Sequence, residues 1–102
     1  MYNLIITELA HEDLDEIVRY IAIDLNAPKA ASDFVDAVDA CYKDIRTNPG
    51  MFEYSRDSRL RQEGYRRAVV KNYIFLYKVF EEKNEVVIYR LIYGRRNYAN
   101  LI

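Results

Sequence analysis

The chain has 102 residues, of which 51% are hydrophobic. This length and composition are typical of one domain with an ordinary core. Its 15 basic and 16 acidic side chains give it a net charge of −1. One cysteine and one histidine exclude an internal disulfide and a conventional structural zinc site, and three glycines leave no glycine-rich phosphate loop, so we expect no metal and no cofactor. No apolar run approaches the roughly 18 residues that span a bilayer, and the first residues lack the basic start of a signal peptide, so we expect a cytoplasmic protein.

The first half of the chain predicts a strand followed by a helical hairpin. Residues 2–7 are rich in β-branched and aromatic side chains, which is typical of a short strand. Apolar side chains then recur at helical spacing over residues 7–25 and again over residues 31–45. The break at 26–28 and the Asn-Pro-Gly sequence at 48–50 bound the second helix. Two amphipathic helices joined by so short a break pack antiparallel.

The second half predicts three strands after an irregular segment. Residues 51–64 lack a clear period and carry three arginines, so we predict a basic connecting segment. Strands are predicted at 65–70, 73–80 and 85–93, joined by connections of hairpin length. The order β-α-α-β-β-β predicts an α+β domain in which the helical hairpin covers one face of a mostly antiparallel sheet.

Both faces of the predicted sheet are largely apolar, although the helical hairpin can cover only one of them. We place Ile74, Leu76 and Ile88 together on the uncovered face. An exposed apolar face of this kind is typical of a partner-binding groove. The alternative is that the connecting segment or the C-terminal tail folds over it.

The charges are divided unevenly along the chain. Residues 1–55 carry four basic and eleven acidic side chains, a net charge of −7, whereas residues 56–102 carry eleven basic and five acidic side chains, a net charge of +6. Such asymmetry indicates that the basic half meets a polyanion or an acidic partner. The alternative is that acidic helices simply lie beside a basic sheet.

Basic and aromatic side chains on and after the predicted strands are the candidates for chemistry. Arginine and lysine bind phosphates, and arginine stabilises charge that develops on a phosphorane-like transition state. Tyrosine can stack on an unpaired base or transfer a proton. Cys41 lies beside the apolar stripe of the second helix and is predicted to be a core residue. The candidate set is Tyr65, Arg66, Arg67, Lys71, Arg90, Arg95, Arg96 and Tyr98.

Four stretches of the chain carry a resemblance to a known family: AHEDLDEIVRYIA, NAPKAASDFVDAV and, most distinctively, GYRRAVVKNYIFLYKV and IYRLIYGRRNYANLI. Taken together, they resemble the RelE/ParE superfamily of bacterial toxins from type II toxin–antitoxin modules, essentially from end to end. The resemblance implies a small toxin that is neutralised by an antitoxin wrapped around it. The antitoxin would occupy the apolar face that carries Ile74, Leu76 and Ile88.

The resemblance implies one of two targets. RelE-like members cleave ribosome-bound mRNA, and ParE-like members poison DNA gyrase. Arg96 falls at the arginine that follows the last strand in the ribonuclease branch, so catalytic roles are expected for Arg96, Tyr98 and Lys71. Target binding is then expected for Tyr65, Arg66, Arg67, Arg90 and Arg95.

Two features of the sequence depart from the ribonuclease branch. Ile74 stands where many ribonuclease members carry an arginine that faces the groove, and no histidine lies near the C-terminus. Because Arg96 matches the ribonuclease branch, we take mRNA cleavage as the first interpretation; the two departures keep gyrase inhibition without chemistry as the second. A third interpretation, from a different class, is an inert protein that retains only the antitoxin-binding groove.

Overall fold

The structure is a computed structural model, and it describes residues 1–96 and 98–102. Within these residues no helix is long and apolar enough to cross a membrane. The predicted order of strands and long helices is confirmed, with one additional short helix, α3. The elements in chain order are β1 (Asn3–Ile6), α1 (Glu8–Arg19), α2 (Pro28–Thr47), α3 (Ser58–Gln62), β2 (Arg66–Val70), β3 (Tyr73–Phe80) and β4 (Glu85–Tyr93).

The strands form one sheet in the order β1-β4-β3-β2. β2, β3 and β4 follow one another as antiparallel neighbours. β1 lies at one edge and pairs parallel with β4. The predicted α+β domain with a mostly antiparallel sheet is therefore confirmed.

A capping residue sets where the helical hairpin begins, and a left-handed residue sets where it turns. Thr7 caps α1, because its hydroxyl accepts the Ala10 N–H at 3.1 Å and donates to the Tyr89 carbonyl at 2.9 Å. The helix continues beyond α1 as a π-helical turn at Tyr20–Asp24. Asn26 then adopts a left-handed conformation with φ of 49° and turns the chain toward α2.

The segment 51–64 is more ordered than the predicted connector. The Asp57 carboxylate accepts the Leu60 N–H at 2.9 Å and caps α3, and Gly64, with φ of 91°, follows the end of this helix. Backbone hydrogen bonds also join residues 53–55 to the start of β2. The segment is therefore part of the folded domain, and describing it only as a connector was wrong.

Two apolar cores lie on opposite faces of the sheet. The first core packs α1 and α2 against the sheet, with Phe34, Ile45, Phe75, Tyr77 and Ile88 among its buried members. The second core lies on the other face and is covered by α3 and by residues 98–102, here called the C-terminal segment. Its buried members are Leu60, Tyr65, Ile74, Leu76 and Ile92, and Tyr89, Tyr98, Leu101 and Ile102 pack against them.

The prediction of an open apolar groove on this face is therefore wrong. Leu76 is 0% exposed and Ile74 is 4% exposed, because Leu60 and the C-terminal segment cover them. The alternative interpretation, in which the connecting segment and the tail fold over the face, is the one that the structure shows.

A β-bulge explains why Ile88 does not share a face with Leu76. Leu76 pairs with Arg90 and Tyr77 pairs with Ile88, so Tyr89 is an extra residue in β4. An extra residue reverses the alternation of side chains beyond it. Ile88 therefore points into the first core, under the helices, and the prediction that placed it on the uncovered face is wrong.

Candidate functional site

Arg90, predicted to bind a target, is held inside the protein by Asp13. Its Nε and Nη2 atoms donate to the two Asp13 carboxylate oxygens at 2.8 and 3.0 Å, and the two side chains are only 17% and 12% exposed. The same carboxylate accepts the Leu91 N–H at 3.0 Å. The hydrogen bond that Arg90 donates to Asp13 raises the pKa of Arg90 above its usual value. Arg90 therefore ties α1 to β4, and the structure does not present it to a target.

Arg66 and Arg67 are also engaged in internal contacts. Arg67 donates to the Glu53 carboxylate at 2.9 Å, and its side chain is 10% exposed. This hydrogen bond lowers the pKa of Glu53, which favours the ionised carboxylate. Arg66 donates to the Phe52 carbonyl at 2.7 Å, and its guanidinium carbon lies 3.9 Å from the centroid of the Tyr54 ring. Both arginines hold residues 52–54 against β2.

The predicted stacking tyrosines are packed in the second core. Tyr65 is buried and makes an edge-to-face contact with Tyr89 at 5.3 Å between centroids, and the Lys78 ammonium lies 4.4 Å from the centroid of the Tyr65 ring. Burial raises the pKa of Tyr65, so its phenol is protonated at neutral pH. Tyr98 packs half-buried against the same core. Lys78 was not predicted, although it is the one cation within strand 73–80.

Two arginines hold the C-terminal segment over the second core. Arg59 of α3 donates to the Ala99 carbonyl and, at 3.0 Å, to the Ile102 carbonyl. Arg90 donates to the Leu101 carbonyl at 3.4 Å. The same arginine that binds α1 therefore also reaches the C-terminal segment.

The remaining predicted cations lie at one end of the sheet. Lys71, in the turn between β2 and β3, and Arg95 and Arg96, in the turn after β4, are exposed. The Gly94 N–H donates to the Asn72 carbonyl at 2.8 Å, which joins the two turns. A Cβ atom at Gly94 would lie 3.2 Å from that carbonyl oxygen, so the close approach favours glycine. We call Lys71, Arg95 and Arg96 the basic end.

A cavity of about 780 Å³ opens between the tip of the helical hairpin and this end of the sheet. Two aromatic contacts form its wall: Phe34 to Tyr73 at 5.3 Å and Tyr73 to Tyr93 at 5.7 Å between ring centroids. Its rim combines the exposed apolar Tyr20 and Leu25 of the hairpin with polar groups of the sheet end and of α2. This hairpin cavity was not predicted from the sequence. It is lined by Tyr20, Ile21, Leu25, Ala30, Asp33, Phe34, Lys71, Asn72, Tyr73 and Tyr93.

The other groups that could carry chemistry are potential metal ligands and the single cysteine, Cys41. Over residues 1–96 and 98–102, no three His, Cys, Asp or Glu side chains are grouped so that they could hold a metal ion. Cys41 is buried in the first core, as predicted, and burial raises the pKa of its thiol to about 12. The thiol is therefore protonated at neutral pH, and a nucleophilic role needs the thiolate.

Comparison with known proteins identifies the family. Residues 4–98 match the family model described as ParE toxin of type II toxin-antitoxin system, parDE. None of the curated protein sequences is significantly similar to the chain. Among solved structures, the chromosomal ParDE toxin–antitoxin system from P. aeruginosa is 21% identical, covers 91% of this chain and 96% of its own, and superposes with a TM-score of 0.71.

A second solved structure, the toxin–antitoxin complex RelBE2 from Mycobacterium tuberculosis, is 22% identical, covers 90% of each chain and has a TM-score of 0.63. At this level of identity the two structures show a shared fold. The family match spans nearly the whole chain, and the resemblance to the RelE/ParE superfamily is confirmed. This chain belongs to the ParE toxins of type II toxin–antitoxin systems.

Proposed function

We propose that this toxin inhibits growth by binding DNA gyrase and that it carries out no chemistry of its own. The observation that carries the proposal is the engagement of Arg66, Arg67 and Arg90 in internal contacts. A phosphodiester-cleaving site needs cations and a proton-transfer group that reach the substrate. Here Tyr98, the tyrosine expected to be catalytic, packs half-buried against the second core, and Tyr65 is buried with a raised pKa. The resemblance to the ParE branch implies gyrase as the target.

The basic end is the surface that we propose for contact with the target. Lys71, Arg95 and Arg96 are exposed in two turns that a backbone hydrogen bond joins. Turns of this kind, positioned by a sheet, commonly carry the contacts of a binding site. Exposed arginines contribute little to folding stability, so replacing Arg95 or Arg96 tests target binding separately from folding.

Cleavage of ribosome-bound mRNA is the second candidate. It is favoured by the exposure of Arg96, which falls at the arginine position of the ribonuclease branch. In this mechanism Arg96 would stabilise charge on the phosphate, and Lys71 would assist it. Tyr65 and Tyr98 could stack on a base only after the C-terminal segment had left the second core.

We also propose that a cognate antitoxin neutralises this toxin in the cytoplasm. The proposal is supported by the family description and by the solved structures with this fold, which are described as a toxin–antitoxin system and a toxin–antitoxin complex. The apolar face proposed from sequence is covered by the protein's own C-terminal segment, so an antitoxin that binds there must displace that segment.

Replacing Arg96 with alanine is expected to abolish growth inhibition on induced expression, and Arg95→Ala is expected to weaken it. Each change removes an exposed cation from the proposed contact surface without removing a buried contact. The measurement is growth, with plasmid supercoiling and mRNA integrity followed separately in the same cells. We expect the parent toxin to change supercoiling while mRNA stays intact.

The matched control is Arg56→Ala, because Arg56 is an arginine whose side chain is 74% exposed and which lies away from the basic end. It should remain as toxic as the parent. Ribosome-dependent cleavage of mRNA with unchanged supercoiling would favour the second candidate. An Arg96→Ala protein as toxic as the parent at equal expression would remove the basic end from the site.

A further inference from the structure

The hairpin cavity combines exposed aromatic rings with a cluster of cations, and the proposed contact with a target uses only the cations. We infer that the cavity binds a nucleotide, with the base stacked on its tyrosines and the phosphate held by the basic end. The ligand is a free mononucleotide or an unpaired nucleotide of a nucleic-acid strand, because both present the same base and phosphate. The inference goes beyond the proposed function and does not depend on which target the toxin inhibits.

The aromatic lining accounts for the base. Tyr20, at the tip of the helical hairpin, and Tyr93, at the end of β4, line the cavity and are 47% and 41% exposed. Tyr73 contacts both Phe34 and Tyr93, at 5.3 and 5.7 Å between ring centroids. A volume of about 780 Å³ is within the usual range for sites that bury a ligand. Every base has an aromatic face, and stacking on tyrosine is a common way to bind an unpaired base.

The charge at the opening accounts for the phosphate. Lys71 of the basic end lines the cavity, and the two arginines of the basic end follow Tyr93 within three residues. The sequence contains no acidic residue after Glu85, so this side of the opening has no carboxylate close in sequence. On the helix side, Asp33 is paired with Lys29 at 3.2 Å. Lysine and arginine are the side chains that bind phosphate, so a phosphate at the sheet side would be held by the basic end.

Two departures from regular backbone geometry occur at this cavity. Lys71 has a φ of 56°, in the left-handed region that favours glycine or asparagine. The helical hairpin leaves α-helical geometry in the π-helical turn at Tyr20–Asp24, which supplies two lining residues, Tyr20 and Ile21. Strained residues and π-helical turns occur frequently at functional sites. Here the strained position keeps a cation at the opening, and the π-helical turn contributes a tyrosine to the lining.

Nucleotide binding would be coupled to the proposed contact with the target, because both use the basic end. A free mononucleotide would compete with the target, whereas a strand would join the toxin to a nucleic acid. The two proposals are nevertheless tested separately. Toxicity of the Arg96→Ala variant tests the contact with the target, and nucleotide binding is measured on the purified toxin alone, through Tyr93 and Lys71.

The direct experiment titrates the purified toxin with adenosine 5′-monophosphate (AMP) by isothermal calorimetry. We expect AMP to bind and Tyr93→Ala to raise its dissociation constant about tenfold, because the base loses a stacking surface. The matched control is Tyr54→Ala, which removes another exposed tyrosine, one that pairs with the opposite end of β2. It should bind AMP like the parent.

A second pair of variants separates the phosphate from the base. Lys71→Gln is expected to raise the dissociation constant of AMP about tenfold, because it removes a charge-assisted contact, and to leave that of adenosine unchanged. A variant that only damaged the fold would weaken both probes. Lys83→Gln is the control, since Lys83 is exposed in the hairpin turn at the other end of the sheet. It should change neither.

Filling the cavity tests its location. Ala30 lines the cavity from an exposed position of α2, so Ala30→Trp should occupy the space of the base and weaken AMP binding at least about tenfold. The matched control is Ala40→Trp, which adds the same side chain at another exposed position of α2, away from the cavity. If Ala30→Trp does not fold, Tyr93→Ala decides, because Tyr93 is exposed and its truncation should leave folding intact.

A single-stranded oligodeoxynucleotide with a 5′ phosphate distinguishes the two sources of the ligand. Tighter binding of this strand than of AMP identifies the strand as the source, and binding of AMP alone identifies the free nucleotide; both results support the inference. Failure of the parent toxin to bind either probe overturns it. Binding that Tyr93→Ala and Ala30→Trp leave unchanged also overturns it, because surface charge alone would then hold the phosphate. A ribosome readout in place of gyrase contradicts only the proposed target.

Discussion

Replacing Arg90 with alanine is expected to lower the free energy of unfolding by about 3 kcal/mol. The change leaves the Asp13 carboxylate in a largely buried site without its bidentate partner. It also removes the hydrogen bond to the Leu101 carbonyl, so the C-terminal segment should loosen. Urea denaturation measures the first effect, and amide exchange of residues 98–102 measures the second.

Two further variants separate the ion pair from general damage. Arg56→Ala removes a more exposed arginine from a surface pair and should change stability by no more than about 0.5 kcal/mol. The double variant Asp13→Leu with Arg90→Met replaces both charges by apolar groups and should recover much of the lost stability. An Arg90→Ala variant as stable as the parent would contradict the structural role of the ion pair. Arg90 would then be free to bind a target, as predicted from the sequence.

Replacing Leu76 with alanine is expected to cost about 3 kcal/mol of unfolding free energy, because the side chain is fully buried in the second core and the truncation leaves a cavity. The control is Val69→Ala. Val69 lies in the neighbouring strand, is 56% exposed and should cost much less. Urea denaturation of the two variants compares a covered position with an uncovered one.

This comparison also decides whether the second face is covered in solution. If Leu76→Ala were no more destabilising than Val69→Ala, the face would be open and the groove predicted from sequence would exist. With the cover in place, a change such as Leu76→Asp would impair folding. Loss of antitoxin binding in that variant would then say nothing about where the antitoxin docks.

Local chemistry made much of the fold predictable. β3 and β4 have the bounds that the sequence predicted, since their apolar residues are bounded by the short connections at 71–72 and 81–84. The helical hairpin was predictable from its 3.6-residue period and from the break before Pro28. α3 also had a local signal that was not used: Asp57 as a capping residue and Gly64 after the last turn.

The arrangement of the site depends on contacts between distant residues and was not predictable in the same way. Asp13 and Arg90 are 77 residues apart, so no spacing rule pairs them. The bulge at Tyr89 has no sequence signature here, yet it decides which core receives Ile88. The hairpin cavity forms where α2, the hairpin tip and the sheet end meet, and none of these segments indicates it alone.

The most direct test of the central claim is to add purified toxin to DNA gyrase and relaxed plasmid and to follow supercoiling, with a parallel reaction of the toxin with ribosomes programmed with mRNA. We expect the parent toxin to inhibit supercoiling in proportion to its concentration and the antitoxin to restore supercoiling. The Arg96→Ala variant should leave supercoiling unaffected. The mRNA should stay intact on the ribosome. Cleavage of the ribosome-bound mRNA by the parent toxin, together with full gyrase activity at the same concentration, would contradict the account.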